Sequence, residues 1–174
     1  MAVDRVVAQD AYRHALGRFA TGIAVITTRY DGRDHAMTVN SFSSVSLDPP
    51  LVLFSCEKIA RFHEAVTASC CWVANVLGAD QEEQSRWFAQ RGRPFDDQFA
   101  RFPTRPAEAV PVLALEGCLA TIECRTVGAY DGGDHTVLVG EVVAVHVAPG
   151  EAKPLLYFAG GYRTLAELPG HGSR

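Results

Sequence analysis

The sequence lacks the long apolar runs and the charge excess that mark several classes of protein. No apolar stretch among its 174 residues is long enough to cross a bilayer. The charged N-terminal stretch "MAVDRVVAQDAYRHALGRF" lacks the apolar centre of a signal peptide. The formal net charge is −4 and no basic block occurs, which argues against nucleic-acid binding. We therefore expect a cytoplasmic protein that binds neither nucleic acid nor membrane.

Common catalytic motifs are absent as well. The chain contains no GxGxxG, Walker loop, HExxH or GxSxG, so Rossmann, P-loop, zinc-protease and hydrolase assignments lose their usual support. Its five cysteines show no CxxC spacing. Cys118 and Cys124 fall on one face of a predicted strand, which leaves a disulfide or a metal open. Buried, reduced thiols are the favoured interpretation, and no metal site is predicted.

What the sequence does contain is a series of strand patterns. The stretch "IAVITTRYDGRDHAMTVNSFSSVS" predicts two strands around a turn at Asp31-Gly32. "HTVLVGEVVAVHV" predicts a long strand in which Gly140 marks a bulge or a close backbone approach. Pro49 and Pro50 predict an extended approach to the apolar strand "LVLFSC". Strands outnumber helices, so the pattern predicts a mainly β fold, a closed antiparallel barrel with a few peripheral helices.

Three helices and one long loop complete this prediction. A first helix is expected from a cap at Asp10 to about Thr21, and a second over residues 59–68. Asp80 and Glu83 form a predicted capping box for a third. Four prolines between Gly92 and Val112 predict a loop long enough to suggest a function or an interface. The chain length predicts a single domain over residues 1–174.

Three polar clusters at predicted strand ends are candidates for a ligand site. "MTVNSFSSVS" places hydroxyls and amides where they could hydrogen-bond a heteroaromatic ring. "SCEKIARFHEAV" brings Lys58 and Arg61 to a helix N-terminus, as a phosphate cradle would. "DGGDH" places His135 beside a turn. Taken singly, each is equally typical of a polar edge strand, a solvated helix or an exposed turn.

Taken together and in order, these stretches resemble the short-chain flavin reductases, the reductase components of two-component flavin-dependent monooxygenases. The most specific pieces are "TVNSFSSVSLDPPL" and the pair "GDH" and "GGYR", and the resemblance runs from about Tyr12 to Leu165. It implies a homodimeric, FMN-binding split β-barrel with short tails around a core of residues 12–165. It also implies an NAD(P)H:flavin oxidoreductase that reduces FMN or FAD with NADH, NADPH being possible, and supplies reduced flavin to a partner monooxygenase.

The resemblance also implies a set of site residues. His135 is expected to be the catalytic contact to the nicotinamide, which it would position by its carboxamide, because hydride transfer needs orientation more than acid or base. The residues expected to bind the cofactors are Thr38, Asn40, Ser41, Ser46, Ser55, Cys56, Lys58, Arg61, Ser85, Phe88, His135, Tyr162 and Arg163. Two departures are notable. Phe62 stands where the family commonly has a hydroxyl residue, and Gln98 replaces a frequent cation, so its loop is assigned no binding role.

Two other functions remain open on the residues alone. One is a flavin-binding split barrel without reductase activity, a sensor or storage protein, and the other is a self-contained flavin oxidase. A chain of 174 residues leaves little room for an enclosed organic pocket beside two cofactors. A mere binder has no use for the nicotinamide pocket that "GDH" and "GGYR" imply. The residues do not determine whether the flavin is FMN or FAD, nor do they determine the substrate of the partner monooxygenase.

Overall fold

The structure of the protein, a computed structural model, describes residues 7–94 and 96–166. Most of the predicted terminal tails therefore lie outside the described residues. The described helices are α1 Gln9–Leu16, α2 Arg61–Ala68 and α3 Glu82–Ala89, the last preceded by a short 3-10 helix, Ala79–Gln81. The strands are β1 Thr21–Gly22, β2 Ala24–Tyr30, β3 Arg33–Val39, β4 Ser43–Leu47, β5 Pro50–Glu57, β6 Cys71–Val76, β7 Thr104–Pro106, β8 Leu113–Leu115, β9 Ala120–Gly132, β10 His135–Val147, β11 Leu156–Phe158 and β12 Gly161–Arg163.

Seven strands form one antiparallel sheet in the order β3-β2-β6-β9-β10-β5-β4. The remaining described strands form two small sheets, β1-β11-β12 and β7-β8. The main sheet curls so that β3, at one edge, lies against β5 near the other edge. There the Ser41 hydroxyl accepts a hydrogen bond from the Ser55 backbone N–H at 3.0 Å and donates to the Ser55 carbonyl at 3.2 Å. The fold is a mainly β, antiparallel split barrel, which confirms the predicted fold class.

The interior of the main sheet is packed around two aromatic rings. Phe54 and Trp72 are fully buried, and their rings meet edge to face with centroids 4.9 Å apart, a favourable aromatic geometry. Gly140 lies beside them: a Cβ at this position would stand 2.5 Å from Cζ2 of Trp72 and 2.8 Å from Cβ of Cys124. The pairing of β9 with β10 also shifts register between Val139 and Gly140. Of the two alternatives predicted for Gly140, the close approach is present at Gly140 itself, and the bulge lies opposite it, at Val127 of β9.

The turns follow the predicted pattern in one case and depart from it in another. β2 and β3 pair around Asp31 and Gly32, whose φ angles are 49° and 70°, so the predicted hairpin is confirmed. The extended approach predicted for the prolines is wrong. The Asp48–Pro49 peptide is cis, and Leu47 pairs directly with Pro50. Because β4 must pair with β5 at once, the chain reverses within these residues instead of running straight.

The ends and caps of the first and third helices differ from those that the sequence predicts. α1 ends at Leu16, because Thr21–Gly22 pairs with β11 instead of continuing the helix, and Asp10 lies inside the helix without capping it. At the third helix, Asp80 lies inside the 3-10 turn, and the Gly78 N–H donates to Oε1 of Gln81 at 3.1 Å. No helix of the described part of the chain has the length and apolar character to cross a membrane.

The five cysteines are unpaired, and the two that were candidates for a bridge lie apart. Cys118 precedes β9 and packs with Leu77 and Phe88, whereas Cys124 packs in the interior with Trp72. Burial raises the pKa of the Cys124 thiol to about 12 and that of Cys118 to about 11. Both thiols therefore stay protonated at neutral pH and pack as small apolar groups.

Candidate functional site

A cleft of about 560 Å³ opens where the barrel is split, beside β3 and the end of β5. One wall is β3 with the two residues that follow it. The other wall is formed by the start of α2, the end of α3 and the loop after α3, with the tip of the β9–β10 hairpin at one side. The volume lies within the usual range for sites that bind cofactors and other small molecules.

The fold brings part of the predicted site together in this cleft. Seven of the residues predicted from the resemblance line it: Thr38, Asn40, Ser41, Ser55, Arg61, Phe88 and His135. They come from β3, β5, two helices and a distant hairpin, so only tertiary structure could place them side by side.

Three predicted residues on or near β4 and β5 do not line the cleft. Ser46 is on β4, where its hydroxyl accepts a hydrogen bond from the Asp48 N–H at 3.2 Å. Cys56 is fully buried in the interior, because side chains alternate along β5 and Ser55 and Glu57 take the cleft face. Burial raises the pKa of the Cys56 thiol to about 12. Lys58 turns away toward the hairpin tip.

The predicted residues Ser85, Tyr162 and Arg163 do not line the cleft. The Ser85 hydroxyl lies 2.9 Å from the Tyr162 hydroxyl, and the Thr38 hydroxyl donates to the Ser85 carbonyl at 2.8 Å. The Arg86 guanidinium stacks 4.6 Å from the centroid of the Tyr162 ring. Arg163 donates to the Tyr162 carbonyl at 2.6 Å. Ser85 and Tyr162 thus support Thr38 from the far side.

Lys58 braces the tip of the β9–β10 hairpin. The hairpin turns through Gly133 and Asp134, and the φ of Gly133 is 76°, a left-handed conformation that favours glycine. The Lys58 backbone N–H donates to the Asp134 carbonyl at 2.9 Å, and its ammonium donates to the Gly133 carbonyl at 2.6 Å and to the Asp131 carboxylate. These contacts direct the Lys58 ammonium toward the hairpin tip; the expected contact of Lys58 with the phosphate stays a prediction.

His135 is oriented by its neighbour in sequence. Nδ1 of His135 lies 2.7 Å from Oδ1 of Asp134, which leaves Nε2 for a second partner. The hydrogen bond and the charge of His135 lower the pKa of the Asp134 carboxyl. Across the sheet His135 pairs with Glu57, whose carboxylate binds Arg91 at 2.7 Å. Sequence reasoning missed Asp134, although its place directly before His135 was a usable signal.

Arg93 is the second residue that sequence reasoning missed. It lines the cleft but is only 9% exposed, and it donates to the Phe88 carbonyl and to Oε1 of Gln98, both at 3.0 Å, and to the Ala36 carbonyl. Arg61 donates to the Arg93 carbonyl at 3.2 Å. Burial and the charge of Arg61 lower the pKa of Arg93 to about 10. A charged residue in a proline-rich loop is usually solvated, so the sequence held no signal for this burial.

Gln98 lies in the loop to which the sequence assigned no binding role, and its contacts there are structural. It is buried, lines the cleft, and donates from Nε2 to the Asp34 carbonyl at 2.7 Å while it accepts from Arg93. No group of three or more metal-binding side chains occurs within residues 7–94 and 96–166. The cleft therefore combines hydroxyl and amide groups on and directly after β3 with a cationic wall, a donor set suited to a polar ring that carries an anionic group.

The fold and the cleft together define a class: an antiparallel split-barrel protein with a polar, partly cationic cofactor cleft at the split. Residues 16–166 match the family model of the flavin reductase like domain. The chain belongs to this family.

Several relatives are similar over most of their length. The FMN reductase (NADH) SmoA of Agrobacterium fabrum is 43% identical over 152 residues, which cover 87% of this chain and 83% of that protein. The flavin-dependent monooxygenase reductase subunit HsaB of Mycobacterium tuberculosis is 40% identical over 152 residues, covering 87% and 79%. The structure of the NADH:FAD oxidoreductase SgcE6 of Streptomyces globisporus, with NAD and FAD fragments, is similar with a TM-score of 0.87 and 35% identity, covering 94% of this chain and 95% of that chain.

Proposed function

We propose that this protein is an NAD(P)H-dependent flavin reductase. It transfers a hydride from NADH to FMN or FAD and supplies the reduced flavin to a separate flavin-dependent monooxygenase. The observation that carries the proposal is the cleft at the split, where the hydroxyl and amide groups after β3 and the imidazole of His135 line one space. The names of the relatives, which include NADH-dependent FMN and FAD reductases, support the same reaction.

The polar wall would bind the isoalloxazine ring of the flavin. Thr38 uses its hydroxyl hydrogen on the Ser85 carbonyl, so its oxygen lone pairs are available to accept from the ring. Asn40 supplies both a donor and an acceptor. When bound, the flavin supplies the redox chemistry, since it accepts the hydride and carries the electrons away. The chain contributes orientation of the two cofactors and exclusion of water.

The hairpin tip would position the nicotinamide. Asp134 holds Nδ1 of His135, so Nε2 is the ring nitrogen left to bind the carboxamide of the nicotinamide. Lys58 fixes the backbone on which both residues stand, through the Gly133 and Asp134 carbonyls. In this proposal His135 sets the distance and the face of hydride transfer, and it need not carry a proton.

The cationic wall would bind the flavin phosphate. Arg61 lines the cleft at the first residue of α2, and Arg93 lies next to it. Neither Lys58 nor Cys56 serves this purpose in the proposal, because the first braces the hairpin and the second faces the interior. The phosphate site is therefore smaller than the one that the resemblance implies.

The test is a steady-state matrix in which the purified protein is given FMN or FAD with NADH or NADPH. We expect loss of NADH absorbance with either flavin, and weaker activity with NADPH. Tightly bound flavin without NADH consumption would instead identify a sensor or storage protein. Oxidation of an organic substrate without any second protein would identify a self-contained oxidase.

We also infer a homodimeric, single-domain protein of the cytoplasm. α1 buries none of its residues, and Tyr12, Leu16 and Phe19 at and after this helix are each more than half exposed, which supports a contact with a second copy. The family match over residues 16–166 supports one domain. Five unpaired cysteines fit a reducing compartment. Sedimentation of the wild type and of Phe19→Glu tests the dimer; equal masses would count against this surface.

A further inference from the structure

Arg93 carries a buried positive charge for which the described chain supplies no carboxylate at ion-pair distance. Within residues 7–94 and 96–166, its guanidinium donates only to neutral oxygens, those of Ala36, Phe88, Gln90 and the Gln98 side chain. It also lies 5.5 Å from the centroid of the Phe88 ring, a weak cation–π contact that carries no opposite charge. Among nearby acids, Glu57 on the cleft binds Arg91 at 2.7 Å. Asp34 lies outside the cleft, with its Oδ2 3.6 Å from Arg29, and it makes no ion pair with Arg93.

A cation in this position is costly for the protein without a ligand. Taking a guanidinium out of water is unfavourable unless an opposite charge compensates it. A second guanidinium raises this cost, because Arg61 donates to the Arg93 carbonyl and its positive charge repels that of Arg93. The hydrogen bonds satisfy the N–H groups, but they leave the net charge in place.

We propose that Arg93 is a positioning and specificity-determining residue whose charge is balanced by the phosphate-bearing end of the bound flavin, so that the cleft selects phosphorylated flavins over riboflavin. This inference rests on the proposed function, because it takes the flavin to be the occupant of the cleft.

Arg93 acts on the ligand without being a direct phosphate ligand. Its donors are already used, so its charge acts through the poorly solvated wall, where charges are screened less than in water. It also ties the end of α3, through the Phe88 and Gln90 carbonyls, to the Ala36 carbonyl of β3. The two walls of the cleft are thereby held at a fixed separation around the cation.

Three variants test this inference, and each makes the net charge more negative by one unit. Arg93→Gln removes the buried cation. Gln98→Glu keeps the cation but places a carboxylate beside it, since Oε1 of Gln98 is 3.0 Å from the guanidinium. Arg101→Gln is the matched control, because Arg101 is exposed and pairs with Glu83 at 2.8 Å away from the cleft.

The measurement is the dissociation constant of FMN and of riboflavin, by quenching of flavin fluorescence at one fixed salt concentration. We expect the wild type to bind FMN more tightly than riboflavin. Arg93→Gln and Gln98→Glu should each reduce this preference by roughly tenfold or more, the effect of losing one favourable charge interaction at a poorly solvated site. Arg101→Gln should leave it unchanged.

Several results would overturn the inference. A wild type that binds both flavins equally, or an Arg93→Gln variant that weakens both by the same factor, would reduce Arg93 to a structural residue. If Arg93→Gln does not fold, Gln98→Glu decides, and an unchanged preference there refutes the role of charge. Failure of the proposed function gives a different result. Selective FMN binding without NADH oxidation would support the role of Arg93 and refute the reductase activity.

Discussion

Replacing Ser41 with alanine should loosen the barrel at the split beside the cleft. The ladder between β4 and β5 pairs Ser43 with Leu53. Two residues further along each segment, the same register brings Ser41 opposite Ser55. There a side-chain hydroxyl replaces the backbone pair, with hydrogen bonds of 3.0 and 3.2 Å to the Ser55 N–H and carbonyl. The alanine variant leaves both partly buried groups without this partner.

The expected loss follows from those two groups. Unsatisfied, partly buried backbone groups cost about 1–2 kcal/mol in the free energy of unfolding, which for a chain of this size lowers Tm by roughly 2–8 °C. Urea and thermal unfolding of the flavin-free protein measure it. The matched control is Ser43→Ala, because the Ser43 hydroxyl is exposed and only donates to the Ser44 carbonyl at 3.2 Å.

Flavin binding gives the second measurement for the same pair of variants. If the Ser41 hydroxyl holds the edges of the split together, Ser41→Ala should weaken flavin binding as well as stability, and Ser43→Ala should change neither. Equal stability of the two variants would refute the structural role assigned to Ser41. A loss of affinity without any loss of stability would instead favour a direct contact between the Ser41 hydroxyl and the flavin.

The remaining predictions concern the interior, the hairpin and one thiol. Gly140→Ala should lower the free energy of unfolding by roughly 1–3 kcal/mol, because the new Cβ would lie 2.5 Å from the Trp72 ring; Gly22→Ala, with nothing within 4 Å, is the control in urea titrations, and equal effects would contradict the clash. His135→Ala should raise the apparent KM for NADH about tenfold or more with little change for flavin, and unchanged NADH kinetics would remove the positioning role. A thiol-reactive dye should first modify Cys70, the exposed cysteine, and a fast phase that persists in Cys70→Ser would show that another thiol is accessible.

Local features of the structure could be predicted from the sequence because neighbouring residues decide them. Asp31 and Gly32 form the predicted hairpin turn, and Gly140 has the predicted close approach, opposite a bulge in β9. The turn depends on the backbone freedom of glycine, and the close approach at Gly140 depends on the absence of a side chain. The flavin reductase family was likewise identified from short stretches in order, and the family match confirms it.

The details of the site depended on contacts between residues far apart in the chain. The register of β5 decides that Ser55 faces the cleft and Cys56 faces the interior. The approach of the hairpin decides that the Lys58 ammonium donates to the Gly133 carbonyl.

The stretch "DGGDH" contains both local and long-range information. Its turn depends on local chemistry, so these five residues are enough to predict it. The partner of His135 is its own neighbour, Asp134, yet the place of the imidazole beside β3 and α2 comes from the curling of the sheet. The burial of Arg93 has the same origin, since carbonyls from β3 and α3 enclose a side chain that local sequence would leave in water. Only the tertiary structure brings those acceptors together, because hydrogen bonds between distant segments leave no local pattern.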